Sequence, residues 1–436
     1  MLRTIDLRGR ALTPDELLAA VPRAAAARDE ALQAAAGIVH DVADRGEEAL
    51  REQAARFDRV EGHAIRVPQE HLEEALEALD AAVRAALEEA IRRVRQASAA
   101  QVPPPVVTTL APGARVEQHW RPVQRVGVYV PGGKAVYPSS VVMNVVPAQV
   151  AGVAEVALAS PPQADFGGRV HPVILAAARL LGVTEVYAMG GAGAIGAYAY
   201  GVPSLGLRRV DVVSGPGNNF VALAKRVVAG VVGTDAEAGA TEILVVADDS
   251  ADADWVAADL VSQAEHDEQA AAVLVTASET LAAAVAERVA VRAARTLHAG
   301  RVAQALAGPQ SAIVLVDDLA TATAFSNAYG PEHLELHLAD ARPADFVNAG
   351  AVFLGGHSPV SLGDYLAGSN HVLPTGGQAR YASGLSASTF LRPQQVIAYD
   401  RGALAGVRAA IVTLADAEAL PAHGEAVTAR FAASPR

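Results

Sequence analysis

The sequence contains no cysteine. This absence excludes disulfide bonds, thiolate-bound zinc and a cysteine nucleophile, so any metal or covalent chemistry must use other side chains. Aromatic residues are also scarce, at 4% of the 436 residues, whereas apolar residues make up 51%. We therefore expect a core built mainly from aliphatic side chains, and a chain of this length is expected to form two or more domains.

Long apolar runs and basic clusters are missing as well. The N-terminal residues MLRTIDLRGRAL have no continuous apolar segment, so a signal peptide is not expected. Gln149 and Glu155 interrupt the most apolar stretch, residues 141–159, and no apolar run is long enough to cross a bilayer. The net charge is −13, which argues against a nucleic-acid partner because an acidic surface repels phosphate backbones. These features predict a soluble, cytoplasmic protein.

Two kinds of hydrophobic pattern divide the chain. Residues 14–56 and 68–99 are predicted to form helices. The stretch HLEEALEALDAAVRAALEEAIRRVRQ has apolar positions at helical spacing and many strong helix formers. From Val123 onward, short runs rich in valine and isoleucine alternate with alanine-rich helical segments. This alternation predicts parallel sheets covered by helices on both faces. The predicted strands are 125–130, 155–160, 184–189, 209–214, 242–247, 271–276, 312–317 and 351–355.

The eight predicted strands fall into two similar series. A glycine-rich stretch near residues 228–240 separates them, which favours two sheets over one large sheet. The last segment, from about residue 382, is expected to be mostly helical and to form a separate small unit.

One glycine motif has the form of a dinucleotide-binding fingerprint. Gly191, Gly193 and Gly196 form G-x-G-x-x-G between a predicted strand and a predicted helix, and Asp211 follows twenty residues after the first glycine. The pattern is common in a chain rich in alanine and glycine, and Asp211 falls inside the next predicted strand. The motif alone is therefore weak support for a nucleotide site.

Two other glycine loops are more informative. Residues 130–140 and 215–220 each connect a predicted strand to a predicted helix. Glycine lets the backbone approach a ligand, and a helix N-terminus favours an anion such as a pyrophosphate. A tight turn is the alternative for either loop taken alone. Two such loops in one sheet favour a nucleotide cleft at the carboxyl ends of its strands.

Candidate metal ligands and proton acceptors are spread along the second half of the chain. Gln263 and His266 are spaced to share one face of a helix, although a solvent-exposed helix face is the alternative. With Asp364 and His423 they offer the nitrogen and oxygen ligands that suit zinc, but spacing does not show that they converge. Glu332, next to His333 in GPEHLEL, offers a base for water and a base for an alcohol, with an exposed turn as the alternative.

Taken together, these segments resemble the histidinol dehydrogenase family. Order and spacing are preserved from the first residues to the last. The stretches that carry the resemblance are RVGVYVPGGKAVYPSSVVMNVVPAQVAGV, GPGNNFVALAK, SQAEHDEQAAAVLVT, YGPEHLEL, SLGDYLAGSNHVLPTGG, SGLSASTFLR and LPAHGEAVTAR.

The resemblance assigns roles to particular residues. Zinc would be bound by Gln263, His266, Asp364 and His423. Glu332 and His333 match the catalytic pair. The substrate-contacting positions are Thr241, Gln263, His266, His333, Asp364, His371, Glu418 and His423. The cofactor-contacting positions are Tyr129, Gly193 and Asn218. Two departures matter: Gly193 stands where many members have glutamine, and the loop around Thr241 lacks the usual proline.

The resemblance also implies a fold and an assembly. The fold class is α/β, with two incomplete Rossmann-like parallel-sheet domains plus small helical N- and C-terminal extensions. Members are homodimers with intertwined subunits, so Glu418 and His423 would serve the partner's site. The chain is expected to divide into an N-terminal extension over 1–25, a first Rossmann-like domain over 26–124 and 237–381, a second one over 125–236, and a C-terminal extension over 382–436. The first Rossmann-like domain would carry most zinc and catalytic residues, and the second would lie on the NAD side.

The implied activity is the oxidation of L-histidinol through L-histidinaldehyde to L-histidine, with two NAD reduced. His333 would accept the alcohol proton. Because the chain has no cysteine, water must add to the aldehyde, and Glu332 is the candidate to activate it. A related zinc and NAD dehydrogenase for another polyol or hydroxysulfonate, a zinc hydrolase and a non-catalytic zinc scaffold are the alternatives; the nucleotide loops argue against the hydrolase.

Overall fold

A computed structural model of the chain describes residues 2–23, 28–132, 136–236 and 239–432. The helices of these residues are α1 (Pro14–Ala20), α2 (Arg28–Arg45), α3 (Glu47–Gln53), α4 (Gln69–Glu77), α5 (Ala81–Ala99), α6 (Pro138–Ala151), α7 (Pro172–Leu180), α8 (Gly191–Tyr200), α9 (Asn219–Val228), α10 (Ala253–Ala264), α11 (Glu279–Ala293), α12 (Ala299–Ala307), α13 (Leu319–Tyr329), α14 (Val360–Tyr365), α15 (Arg401–Ala417) and α16 (Pro421–Thr428). One turn of π-helix, Ala54–Asp58, continues α3.

The strands form three sheets. They are β1 (Arg3–Asp6), β2 (Val106–Ala111), β3 (Ala114–Pro122), β4 (Arg125–Tyr129), β5 (Glu155–Ser160), β6 (Glu185–Ala188), β7 (Val212–Ser214), β8 (Gly233–Thr234), β9 (Glu242–Ala247), β10 (Ala271–Thr276), β11 (Ala312–Leu315), β12 (His333–His337), β13 (Ala351–Leu354) and β14 (Leu391–Tyr399). The described chain divides into two compact units. The first comprises Met1–Gln101 and Val123–Phe390, and the second comprises Val102–Pro122 and Leu391–Arg436.

The first unit contains a five-stranded parallel sheet in the order β6-β5-β4-β7-β8. Strand β4 lies in the middle and is buried along its whole length. The chain proceeds from β4 outward to β5 and β6, and later from β7 outward to β8 on the other side. The strand order therefore reverses between β4 and β7, where the following loops diverge and leave a crevice at the carboxyl ends of the strands.

The same unit contains a six-stranded parallel sheet in the order β1-β11-β10-β9-β12-β13. Strands β9, β10 and β12 are buried at every position. Apolar clusters cover both faces, one with side chains of α10, α11 and α12 and the other with side chains of α1 and α13. Burial on both faces explains why β9 and β10 are nearly continuous runs of Val, Ile, Leu and Ala, whereas β12, with the sequence HLELH, buries polar side chains as well.

The predicted α/β class and the two parallel sheets are confirmed. Each of the eight predicted strands is present, and 155–160, 242–247 and 271–276 match at both ends. The helices predicted over 14–56 and 68–99 are present, and each segment is divided into shorter helices. Gly46, with φ 58°, separates α2 from α3, and the carboxylate of Asp80 caps the start of α5. Residues 24–27 of the first segment lie outside the described residues.

The second unit is a three-stranded antiparallel sheet, β14-β3-β2, with α15 and α16. The expected helices after residue 382 are present, but the nine-residue β14 and its partners β2 and β3 were not predicted. Several apolar side chains of this unit are exposed, including Val107, Leu110, Ile397 and Leu414. None of the described helices has the length and apolar character needed to span a membrane.

Candidate active site

The first unit contains a large cavity with a volume of about 1460 Å³. On one side, lining residues follow the carboxyl ends of strands in the five-stranded sheet; we call this side the carboxyl edge. They include Tyr129, Pro131, Gly132, Pro161, Gly190, Gly191, Pro216, Gly217 and Asn218. On the other side, lining residues precede or begin strands of the six-stranded sheet; we call this side the amino edge. They include Gly239, Ala240, Thr241, Glu242, Gln269, Ala271, Glu332 and His333.

Glu332 and His333 lie at the start of β12 on the amino edge. Their side chains are buried, with 6% and 4% of their surface exposed, so the alternative of an exposed turn was wrong. The Nδ1–H of His333 donates to the carbonyl oxygen of Glu242 at 3.0 Å. Because a carbonyl only accepts, Nδ1 carries the proton in the neutral ring, and Nε2 is left as a proton acceptor.

Glu332 is held by two donors. Its Oε2 accepts from the hydroxyl of Thr241 at 2.6 Å and from the backbone N–H of Glu242 at 2.8 Å. Burial raises the pKa of Glu332 to about 7, although the neighbouring His333 and the two hydrogen bonds oppose the rise. The carboxyl group can therefore exchange a proton near neutral pH.

Thr241 connects Glu332 to a predicted metal ligand. Its hydroxyl oxygen accepts from Nε2 of Gln263 at 2.6 Å while it donates to Glu332. Gln263 lies in the last turn of α10 and is almost completely buried. These hydrogen bonds connect the side chains of Gln263, Thr241 and Glu332 in series, although Gln263 and Glu332 lie 22 and 91 positions after Thr241 in the sequence.

His266, Asp364 and His371 line the same cavity. His266 lies just beyond the end of α10, where its N–H donates to the carbonyl oxygen of Gln263 at 3.2 Å. Asp364 belongs to α14, and its carbonyl oxygen accepts from Nδ1 of His371 at 2.9 Å. The remaining nitrogen of His371 lies 3.2 Å from the hydroxyl oxygen of Ser140.

Burial disfavours the charged form of these two imidazoles. It lowers the pKa of His266 and that of His371, and the carboxylate of Asp364 opposes the shift in both. Electrostatic repulsion from His333, when that ring is protonated, lowers both pKa values further. The three imidazoles and the carboxylate therefore interact electrostatically as one group, and neutral imidazole is the form that binds a metal.

The last two predicted site residues, Glu418 and His423, belong to the second unit. Glu418 caps the C-terminus of α15, and His423 lies in the first turn of α16. Both side chains are exposed. Their predicted contribution to a partner's site stays a prediction.

The predicted cofactor residues all line the carboxyl edge. The hydroxyl of Tyr129 accepts from the N–H of Gly191 at 3.1 Å. Asn218 caps α9 with its Oδ1, which accepts from the N–H of Val221, so its Nδ2 remains available to donate. A Cβ at Gly193 would lie 2.0 Å from Oε1 of Gln53, so a side chain there would have to displace the flexible end of Gln53.

A buried ion pair fixes the loop that precedes Asn218. Lys225 donates to the carboxylate of Asp235 and to the carbonyl oxygen of Gly215, whose N–H donates to Asp235 at 2.8 Å. Gly215 has φ +120°, and a Cβ there would lie 2.0 Å from the carbonyl oxygen of Tyr129. Only glycine allows this close approach of the ends of β4 and β7.

The dinucleotide fingerprint lacks its acid. The glycines of 191–196 begin α8 after β6, as predicted. Asp211, however, lies just before β7, where its Oδ2 accepts from the N–H groups of Gln124 and Arg125. It therefore lies at the amino end of the five-stranded sheet, opposite the cavity, and the motif's implied role for Asp211 was wrong.

Sequence reasoning missed Glu242. Its backbone forms hydrogen bonds with the side chains of both Glu332 and His333. Its own buried carboxylate pairs with Arg23, whose Nε lies 2.6 Å from Oε1 of Glu242. Arg23 also donates to the carbonyl oxygen of Tyr329 and stacks on that ring at 4.0 Å. A glutamate at the start of the apolar run EILVVA is the signal that could have identified it, because buried carboxylates need partners.

A second cluster was also missed. In the described part of the chain, the one group of three His, Asp or Glu side chains whose ligand atoms lie within 4.8 Å of one another is Asp259, Glu335 and His337. Burial and the adjacent Glu335 carboxylate raise the pKa of Asp259 to about 7. The alternation in HLELH, which directs positions 333, 335 and 337 to one face of β12, is the signal that could have found it. This cluster is distinct from the predicted zinc ligands.

The fold and the cavity define the class of protein. A buried acid–base pair faces glycine loops at a point where the strand order of a parallel sheet reverses, which is the arrangement of an α/β enzyme that uses a nucleotide cofactor.

The comparisons with known proteins give the family. The family model described as histidinol dehydrogenase matches residues 21–431. Histidinol dehydrogenase of Leifsonia xyli subsp. xyli is 63% identical over 432 residues, which cover 99% of both chains. The enzyme of Thermobifida fusca is 56% identical over 433 residues, covering 99% of this chain and 98% of that relative. The crystal structure of histidinol dehydrogenase from Elizabethkingia anophelis superposes with a TM-score of 0.92 at 31% identity, covering 99% of this chain and 98% of that chain.

The chain therefore belongs to the histidinol dehydrogenase family. The family resemblance inferred from the sequence is confirmed, and with it an NAD-dependent oxidoreductase that oxidises histidinol in histidine biosynthesis. The cytoplasmic location stays a prediction.

Proposed function

We propose that the chain oxidises L-histidinol through L-histidinaldehyde to L-histidine, that it uses two NAD for each histidine, and that it requires zinc. The observation that carries this proposal is the buried series of hydrogen bonds from Gln263 through Thr241 to Glu332, beside His333. It connects a candidate metal ligand to an acid–base pair on one cavity.

The residues on the cavity fit a zinc ion. His266 and Asp364 offer a neutral imidazole and a carboxylate. Because Nε2 of Gln263 donates to Thr241, its Oε1 is the atom left to bind a metal. With His423 of a partner subunit, the set would supply the nitrogen and oxygen ligands that zinc accepts. Zinc in this site would bind the substrate through its imidazole and amino groups and so fix its orientation.

His333 is the proposed base in both oxidations. Its Nε2 takes the proton of the substrate hydroxyl, since Nδ1 is occupied by the carbonyl oxygen of Glu242. This hydrogen bond fixes the ring and its tautomer, which makes proton transfer more efficient. The carboxyl edge would hold NAD, which would supply the hydride acceptor for each oxidation.

Glu332 is the proposed base that activates water in the second oxidation. The aldehyde has no hydroxyl, so its hydrate must form before a second hydride can leave, and the chain has no cysteine to add instead. Glu332 removes a proton from the attacking water, and His333 then takes a proton from the hydrate. A pKa near 7 suits this exchange.

The remaining predicted contacts complete the proposed site. Thr241 and His371 would bind the substrate together with the metal ligands, and Glu418 and His423 would come from a partner subunit. The exposed apolar side chains of the second unit support a homodimer, because exposed apolar clusters mark protein interfaces. We also propose that the chain divides into four parts: an N-terminal extension over 1–25, a first Rossmann-like domain over 26–124 and 237–381, a second one over 125–236, and a C-terminal extension over 382–436.

On the carboxyl edge, Tyr129 and Asn218 are the proposed cofactor contacts. Nδ2 of Asn218 is available to donate, and the helix N-terminus beside it favours the cofactor's pyrophosphate. Gly193 would contribute backbone only, and the amide of Gln53 occupies the space that a side chain would need.

The test separates the two oxidations. In Glu332→Gln, we expect alcohol oxidation to continue and aldehyde oxidation to fall by about a hundredfold or more. A single turnover with L-histidinol should then release one NADH and leave the aldehyde, which a carbonyl reagent traps, whereas the unaltered enzyme releases two. The rate of its aldehyde oxidation should rise with pH through about 7, since Glu332 must lose its proton to act as a base, and the variant should lose this rise.

Glu61→Gln, which removes an exposed carboxyl group, is the control and should behave as the unaltered enzyme. Equal losses in both oxidations of Glu332→Gln would contradict the assigned role. Full activity of the enzyme after complete removal of metal would contradict the requirement for zinc.

A further inference from the structure

The carboxyl edge of the cavity has glycine loops but no fingerprint acid. In dinucleotide sites of this type, an acidic side chain accepts hydrogen bonds from the hydroxyls of the cofactor's ribose. Asp211 has the expected spacing but lies at the opposite end of its strand, where two backbone N–H groups occupy its carboxylate. A site that binds NAD through these loops would need another acceptor.

Asp58 has the position that Asp211 lacks. It is the last residue of the π-helical turn Ala54–Asp58 and lines the cavity. Its Oδ2 lies 3.5 Å from the point where a Cβ of Gly190 would stand, and Gly190 is the N-cap of α8. The carboxylate is thus directed at the start of the helix that the glycine motif begins. Single π-helical turns occur frequently at functional sites.

The carboxylate of Asp58 has no visible structural purpose. Among the residues that the structure describes, none forms a hydrogen bond or an ion pair with it. It is nevertheless partly buried, and this burial raises the pKa of Asp58 to about 6. Most partly buried carboxylates are paired or hydrogen-bonded, so an unpaired one on a ligand cavity indicates a ligand with hydroxyl donors.

The surroundings of Asp58 suit an adenosine. Phe57, the preceding residue, lines the cavity with 55% of its surface exposed. Ile38 and Leu50 add apolar surface to the same lining. A purine ring packs well against such aromatic and aliphatic groups. The reacting half of the cofactor must lie beside Glu332 and His333, so the adenosine half is the one available for this region.

We propose that the carboxylate of Asp58 accepts hydrogen bonds from the ribose hydroxyls of the cofactor's adenosine and thereby makes the enzyme select NAD over NADP. The 2′-phosphate of NADP would replace a hydroxyl donor with negative charge in front of a carboxylate. Like charges in contact disfavour binding strongly, which is how one side chain can exclude a ligand. This inference rests on the proposed binding of NAD at the carboxyl edge.

The unaltered enzyme provides the first test. Adenosine 5′-monophosphate and adenosine 2′,5′-bisphosphate differ only in the 2′-phosphate. With L-histidinol as substrate, we expect the monophosphate to compete with NAD and the bisphosphate to compete at least about tenfold more weakly. Calorimetric titration with the same two nucleotides measures this difference without turnover. A failure of histidinol oxidation is therefore distinguishable from a failure of the inference.

Variants assign the difference to Asp58. In Asp58→Asn, we expect the KM for NAD to rise about tenfold with kcat close to that of the unaltered enzyme, because a charged acceptor is lost. The preference for the monophosphate should shrink by a similar factor. Asp58→Glu, which keeps the charge, should retain the preference. Asp44→Asn, which removes an exposed carboxylate on α2, should change neither quantity.

Two results would overturn the inference. One is equal competition by the two nucleotides in the unaltered enzyme. The other is an unchanged preference in a folded Asp58→Asn. If that variant does not fold, the nucleotide competition in the unaltered enzyme and the behaviour of Asp58→Glu still decide the question.

Discussion

The two parallel sheets of the first unit contribute opposite edges to one cavity. The five-stranded sheet contributes its carboxyl edge, at the point between β4 and β7 where its strand order reverses. The six-stranded sheet also reverses its order, between β9 and β12, yet it contributes its amino edge, with Thr241, Glu332 and His333. The rule that ligands bind at carboxyl ends therefore describes one sheet and not the other.

The difference follows from what each edge offers. Glycine loops and helix N-termini at carboxyl ends present backbone N–H groups, which suit a phosphate-bearing cofactor. The amino edge instead presents side chains held by strand backbone, as Glu242 holds Glu332 and His333. We expect changes at the amino edge to reduce the rate of chemistry, and changes at the carboxyl edge to weaken cofactor binding.

The largest effect is expected at the amino edge. His333→Asn removes the proposed proton acceptor of both oxidations, so kcat for each should fall by about a hundred- to ten-thousandfold, while the KM for NAD changes little. Rapid-mixing measurements of NADH formation from L-histidinol and from L-histidinaldehyde test this. His40→Asn, at an exposed position on α2, is the control. An unchanged rate of either oxidation in His333→Asn would contradict the proposal that the catalytic residues lie on the amino edge.

A smaller and different effect is expected at the carboxyl edge. Asn218→Ala removes an N-cap and a proposed cofactor contact, so the KM for NAD should rise about tenfold with kcat almost unchanged at saturating NAD. Ser278→Ala is the matched control, because Ser278 caps α11 in the same way but does not line the cavity. Each variant should lose about 1 kcal/mol of unfolding free energy. Equal KM values in the two variants would refute the contact.

The sequence predicted the buried parts of the fold well. Strands such as β5 and β10 are apolar on both faces, so composition alone marks them. Strands β2, β3 and β14 were missed because β2 and β14 are largely exposed, β3 is mostly half-buried, and polar residues such as Gln394 and Gln395 interrupt the pattern. Strand β3 pairs with its sequence neighbour β2 and with β14, about 270 residues later, and this pairing stabilises the three strands instead.

The site was less predictable than the fold. Residue types and the family resemblance selected Glu332 and His333, but nothing in their spacing predicted that the backbone of Glu242, about ninety residues earlier, would hold them. The fingerprint failed at Asp211 for a related reason, because a count of residues does not say at which end of a strand a side chain lies. Contacts between distant segments depend on the packing of the whole unit.

The central claim is that the metal-dependent chemistry belongs to the amino edge. Diffraction data collected at the zinc absorption edge, from crystals of the zinc-bound enzyme, test this claim directly. The account predicts an anomalous peak bound by His266 and Asp364, within reach of Gln263. A peak at Asp259, Glu335 and His337 instead, or zinc bound at neither group in an active enzyme, would contradict it.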